Sequence, residues 1–208
     1  MALRKQTFAP NEIYHLYNRG TDKRIIFLDK KDYEHFLFLM YICNTIKNIE
    51  LRNIGENFER GKTIVDIGSY CLMPNHFHIL VREKTEGGIS KYMLKLMTAY
   101  TMYFNKKYAR TGKLYEGVFK SIHVNTDNYL KYLYSYVHLN PAKLIDKNWR
   151  KNKNIANLLK YIFSYKYSSL KEYINSEFKI INPTPFPTYF KKPNDHKKEL
   201  FEWLNSKK

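Results

Sequence analysis

The sequence predicts an α+β fold: a ferredoxin-like βαββαβ antiparallel sheet, a further helix and a basic C-terminal extension. Two observations predict it. Segments of β-forming residues and segments of helical period follow one another in that order along the first two thirds of the chain. The two central strands are separated only by Met73-Pro74-Asn75. Pro sets φ and Asn tolerates the left-handed region, so this is a turn and the strands form a hairpin.

Each element has its own signal. Glu12 to Asn18 (EIYHLYN) mixes β-formers with alternation and reads as a strand ended by Arg19-Gly20. A helix is expected from Asp29 or Lys30 to about Asn48, with Tyr33, Phe36, Leu37, Met40 and Tyr41 at helical spacing. Asn53 to Lys62 is a polar loop. Thr63 to Leu72 (TIVDIGSYCL) and His76 to Arg82 (HFHILVR) are the hairpin strands. Gly87-Gly88 breaks the chain before a long helix, Ile89 to Tyr108, which carries Met93, Leu96, Met97, Tyr100 and Phe104. Gly112 marks a turn, and Phe119 to Asn125 is the last strand. Thr126 or Asp127 caps a helix reaching about Asn140, where Pro141 stops it. Beyond it lie a basic, Asn-rich stretch (Asp146 to Asn157), a short helical piece, a Pro-rich loop (Asn182 to Pro187) and a terminal helix (Asp195 to Lys208). The expected division is a unit over residues 1–145 and a partly helical extension, 146–208, packed on or beside it.

Composition narrows the function classes. In 208 residues, 36 Lys and Arg stand against 19 Asp and Glu, a formal charge of +17 that favours polyanions, above all nucleic acid. Aromatic residues at 16% add faces on which bases stack. Two cysteines, Cys43 and Cys71, exclude a disulfide-rich scaffold. No apolar run approaches the roughly 18 residues of a membrane span, and the N-terminus MALRKQTFAPNE lacks a signal peptide's apolar stretch. A cytoplasmic protein is expected.

The residues suited to chemistry fall in two places. On a strand, residues two apart share a face, so His76 and His78 stand together while Phe77, Ile79 and Val81 face the core. Two imidazoles at that spacing can grip one divalent metal, although a bare His-x-His also occurs as two unliganded strand histidines. On the helix after Thr126, Leu130, Leu133, Tyr134 and Val137 fall on the core arc. Tyr136 and Asn140, one turn apart, share the band at its edge. Two imidazoles and an amide oxygen form a mixed donor set suited to Mg²⁺ or Mn²⁺, and a nearby tyrosine could attack a polarised phosphate. Tyr132 and Tyr134 are rival nucleophiles, less well placed relative to Asn140. A zinc site of Cys71 with both histidines is another reading.

These blocks resemble a known family. Met73-Pro74-Asn75-His76-Phe77-His78-Ile79-Leu80 resembles the His-hydrophobe-His strand of HUH endonucleases. Tyr136-Val137-His138-Leu139-Asn140-Pro141 resembles the tyrosine helix of the REP-associated tyrosine transposases, relatives of single-tyrosine insertion-sequence transposases. Tyr14-His15, Asn18-Arg19-Gly20, Gly112-Lys113-Leu114-Tyr115, Phe119-Lys120-Ser121 and Asp127 with Tyr129-Leu130 match as well, over roughly residues 8 to 145. The resemblance implies that His76, His78 and Asn140 bind Mg²⁺ or Mn²⁺. It implies that Tyr136 attacks single-stranded DNA, leaving a 5′-phosphotyrosine link and a free 3′-OH that can rejoin strands, with hairpin or repeat DNA as substrate. Where relatives carry Trp and an Arg before the Phe, this chain has Tyr115 and Val118, so the DNA-contacting cation the resemblance implies is either missing or replaced, with Lys120 the candidate replacement. Arg19 is the other candidate DNA contact. A monomer or a homodimer fits the resemblance. The competing class is a non-catalytic, ferredoxin-like module that binds single-stranded nucleic acid by stacking and charge.

Overall fold

Alternation along four strands decides the architecture. In the computed structural model, which describes residues 7–50, 54–55, 58–151, 154–190 and 192–205, β1 (Ile13–Arg19), β2 (Val65–Met73), β3 (His76–Glu83) and β4 (Lys120–His123) form one sheet. Its order is β2-β3-β1-β4 and every pairing is antiparallel, the ferredoxin-like order the sequence predicts. The segment MALRKQ, residues 53 and 56–57 of the expected polar loop, residues 152–153 of the Asn-rich stretch and residues 206–208 of the terminal helix lie outside the described residues.

One face of the sheet is closed by α1 (Lys30–Ile42) and α2 (Gly88–Lys107). Leu16, Phe77, Ile79 and Val81 point into this core and meet Phe36, Leu39, Tyr92 and Leu96. Complete burial of such a side chain stabilises the fold by about 1.5–3 kcal/mol. The other face receives α3 (Asp127–Leu139), whose Leu130, Leu133 and Tyr134 pack on Leu80. Thr126 caps α3 by accepting from Tyr129 N at 3.2 Å.

The last strand is shorter than expected, Lys120–His123 within Phe119–Asn125, the terminal helix starts two residues early at Pro193, and the largest differences lie at two helix ends. The first helix ends at Ile42, well short of Asn48. Asn44 is the reason: its side chain donates to Val65 O at 3.0 Å and accepts from Ile64 N and Val65 N at 3.1 Å, tying the chain to the start of β2. Pro141 does end α3, but the chain does not leave the helix direction. Pro141 holds helical angles (φ −58°, ψ −23°), and α4 (Ala142–Ile145) begins at once. Proline is tolerated there because the first turn of a helix needs no N–H donor.

The rest of the chain folds back over β2. It contains α5 (Ile155–Ser164), α6 (Leu170–Asn175) and α7 (Pro193–Asn205). Leu72 N donates to Tyr167 O, Ser169 N to Tyr70 O and Asn182 N to Ile67 O, all within 3.0 Å. These bonds cover a sheet edge that would otherwise expose unpaired backbone. At the irregularity between Ile67 and Ser69, Gly68 leaves room for the Phe186 ring, which a Cβ there would meet at 2.8 Å. Among the described residues, no helix is long and apolar enough to cross a membrane.

Candidate catalytic site

Strand register places the site. Lys120, Tyr17, His78 and Cys71 lie in one row across the sheet, and Arg19, His76 and Met73 lie in another. His76 and His78 point to the α3 face, as their spacing predicts, with ring centroids 5.1 Å apart and nearly perpendicular planes. From α3, the Tyr136 ring stands edge-on to His78 at 5.5 Å and to His15 at 6.1 Å. Tyr134 is buried on the core arc. Tyr132 stacks on Tyr136 at 5.7 Å and reaches outward to Trp203.

A pocket of about 320 Å³ joins these groups. Tyr17, Arg19, His76, His78, Glu116, Lys120, Tyr136 and Lys143 line it. Arg19 Nε pairs with Glu116 Oε1 at 2.8 Å, and this contact with the guanidinium holds the Glu116 carboxyl below its usual range. A larger groove of about 620 Å³, between α2 and the 113–119 segment, is almost wholly apolar and holds none of the site's imidazoles.

Asn140 is placed differently from the other candidates. It is buried and does not line the pocket. Its Nδ2 donates to Tyr136 O at 2.9 Å, and its Oδ1 accepts from Lys143 Nζ at 2.9 Å. Lys143 also lies over the Tyr136 ring, 5.4 Å from its centroid. The helical restart after Pro141 produces this, bringing residue 143 back over residue 140.

Burial dominates the electrostatics. It lowers His15 and His76 to about 4 and holds His78 well below its usual value, with neighbouring positive charge adding to the effect for His76 and His78. All three are neutral imidazoles at pH 7, the form that binds metal. Burial, then Tyr132, raises the Tyr136 phenol, while Arg150 and the Asn140 amide oppose the rise. The phenol is therefore not ionised in the resting site. Burial and Arg150 lower Lys143.

The donor set can be tested for a divalent metal. His76 Nδ1 bonds Asn75 Oδ1 at 2.7 Å, and His78 Nδ1 bonds His15 Nε2 at 2.9 Å. Among the described residues, no hydrogen-bond partner is seen for Nε2 of either ring, the arrangement of a metal-binding histidine whose other nitrogen is oriented by a neighbour. Two imidazoles fit; the amide oxygen of Asn140 is shared with Lys143. Among the described residues, no group of three or more His, Cys, Asp or Glu side chains could hold a metal. The zinc reading with Cys71 is thereby overturned: its thiol is fully buried among Met73, Val137 and Tyr165, and burial pushes its pKa far up.

Sequence reasoning did not assign His15, Glu116 or Lys143 to the site. His15, Tyr17 and Arg19 alternate along β1, so they share a face, and that signal was available. Nothing local marks Glu116 or Lys143.

Comparison with known proteins bears on the family and the fold. The family model described as an IS200-like transposase matches residues 14–140. No curated protein sequence matches the chain. Among solved structures, a REP-associated tyrosine transposase bound to a REP hairpin is similar with TM-score 0.53 and 11% identity, over 91% of each chain. A bacterial tRNA(His) guanylyltransferase-like protein in complex with GTP has TM-score 0.40 and 7% identity, over 97% of this chain and 94% of that one. At such identities the first likeness concerns the fold, and the second carries no argument.

Proposed function

This chain belongs to the IS200-like transposase family, and on that premise we propose that it cleaves and rejoins single-stranded DNA through Tyr136. The observation that carries the reading is the single pocket lined by Tyr136, His76, His78 and the cations Arg19, Lys120 and Lys143. A nucleophile, a pair of metal donors and phosphate-binding charges meet there.

Arg19 and Lys120 hold the DNA backbone, with Glu116 releasing Arg19 to a phosphate. His76 and His78, with Asn140, would hold Mg²⁺ or Mn²⁺, for which Lys143 must give up the Asn140 oxygen. The metal supplies Lewis-acid withdrawal of charge from the phosphate oxygens when bound. Tyr136 Oη attacks phosphorus as its proton leaves. The bond from phosphorus to the 3′ oxygen breaks, and that oxygen takes a proton to become a 3′-OH. One phosphoester replaces another, so the link stores the bond. A 3′-OH can then attack it, release Tyr136 and rejoin DNA without ATP. Tyr132 stacked beneath the ring and Lys143 over it orient the phenol.

The neighbour in fold that is bound to a REP hairpin makes hairpin DNA the substrate class to try first. The test incubates the protein with a pool of single-stranded hairpins and Mn²⁺ or Mg²⁺ and resolves it on denaturing gels. A covalent adduct that disappears with Tyr136→Phe and with EDTA is expected. An adduct that survives Tyr136→Phe moves the nucleophile elsewhere. DNA binding without any adduct across the pool replaces this reading with the non-catalytic binding module.

A further inference from the structure

The two proposed metal-binding histidines are oriented by different kinds of partner. Asn75 serves His76. Its Nδ2 donates to Lys23 O at 3.1 Å, which turns its Oδ1 toward His76 Nδ1 at 2.7 Å. An amide oxygen only accepts, so His76 must carry its proton on Nδ1 and leave Nε2 bare. His78 has His15 instead, reached diagonally from the neighbouring strand, at 2.9 Å and buried on both sides. An imidazole nitrogen can donate or accept, so this bond allows two arrangements. In one, His78 Nδ1–H donates to His15 Nε2 and His78 Nε2 is bare. In the other, His15 Nε2–H donates to His78 Nδ1, and His78 Nε2 carries a proton and cannot bind a metal. His15 Nδ1 is buried with no hydrogen-bond partner among the described residues, so neither arrangement gains a second bond from the protein.

We propose that His15 is the positioning residue of the site: it accepts the Nδ1 proton of His78 and so presents a bare His78 Nε2 to the metal. This rests on the reading of His76 and His78 as ligands. His76 is committed to the binding tautomer before metal arrives. His78 is not, and the proton shared with His15 must settle on His78 Nδ1 as metal binds. Orienting partners of this kind are worth about 10–100-fold in metal affinity.

The experiment titrates metal-free protein with Mn²⁺, followed by electron paramagnetic resonance, in wild type, His15→Phe and His15→Gln. His15→Phe keeps the ring shape without the acceptor and should weaken Mn²⁺ binding about 10–100-fold. His15→Gln, which offers an amide oxygen to His78, should recover most of that loss, a rescue that a purely space-filling role does not predict. Imidazole ¹⁵N NMR of the wild type needs no variant. With Mg²⁺ bound, His78 should be protonated at Nδ1 and bare at Nε2. A protonated His78 Nε2 in the Mg²⁺-saturated protein overturns the proposal, as does His15→Phe binding Mn²⁺ like wild type. His76→Ala and His78→Ala separate the two levels. If they abolish Mn²⁺ binding while His15→Phe does not, only the role of His15 falls. If they leave Mn²⁺ binding intact, the metal reading falls and this inference with it.

Discussion

Two groups of histidines, one on the sheet face toward α3 and one between α3 and α7, differ in what surrounds them. His15, His76 and His78 line or back a polar pocket that also holds Tyr136, Arg19 and Lys120. His138 and His196 stand among aromatic rings. His138 Nε2 bonds Ser169 Oγ at 2.9 Å, and the His196 ring lies 4.0 Å from Phe190 and 4.6 Å from Tyr173. Burial depresses all five pKa values, so a perturbed titration does not distinguish a site from a core. The difference is the company: Tyr136 and the cations Arg19, Lys120 and Lys143 on one side, the aromatic rings of Tyr173 and Phe190 on the other.

The strongest way to break this comparison is to remove one histidine from each group. His76→Ala or His78→Ala should lower metal-dependent adduct formation by at least about 100-fold, since each removes one of the two proposed imidazole ligands. His138→Ala should leave adduct yield per folded molecule near wild type. It should cost about 1–3 kcal/mol of stability, because Ser169 loses a buried partner. Equal loss of chemistry in both variants, at equal folded fraction, would erase the distinction.

Acid sharpens it. Folding lowers His196 from 6.5 to about 4, through burial that outweighs the nearby Asp195 carboxylate, with His138, Tyr173 and Phe190 facing the ring. Its neutral form is the folded one. The stabilisation is therefore complete above pH 6.5 and falls away as pH drops toward 4, by up to about 3 kcal/mol. His15 and His76 contribute to the same limb. Urea melts of His196→Leu should show a shallower decline between pH 7 and 4 than wild type; parallel curves would mean that the packed pair does not resist protonation.

The smallest expected effect concerns the cation at the seam between the groups. Lys143→Met removes a positive charge from the Asn140 oxygen and should tighten Mn²⁺ binding about 3–10-fold by relieving like-charge repulsion, while weakening DNA binding. Calorimetric titration that shows weaker Mn²⁺ binding in Lys143→Met would instead make Lys143 a support for Asn140.

Much of this was readable in the chain. The hairpin at Pro74-Asn75, the shared face of His76 and His78, and the band that holds Tyr136 and Asn140 all follow from local periodicity and turn chemistry. The end of α1 was misjudged because Asn44 is turned by bonds to a segment twenty residues away, which no local pattern records. Asn140 was expected beside the histidines as a donor; the structure puts its oxygen on Lys143. His15 was legible as a sheet-face residue on β1 but not as the partner of His78.

What the sequence determined by itself was the set of local repeats: which strand residues alternate, where helices start, and which side chains lie one turn apart. These depend only on the 2.0 and 3.6 residue periods and on turn residues within a few positions. Tertiary structure alone decided the meetings across long stretches of chain: His15 with His78, Arg19 with Glu116, and Tyr136 edge-on to both imidazoles. Those pairings depend on the register of β1 against β3 and on how α3 settles on the sheet, and that is set by filling the shared core without voids.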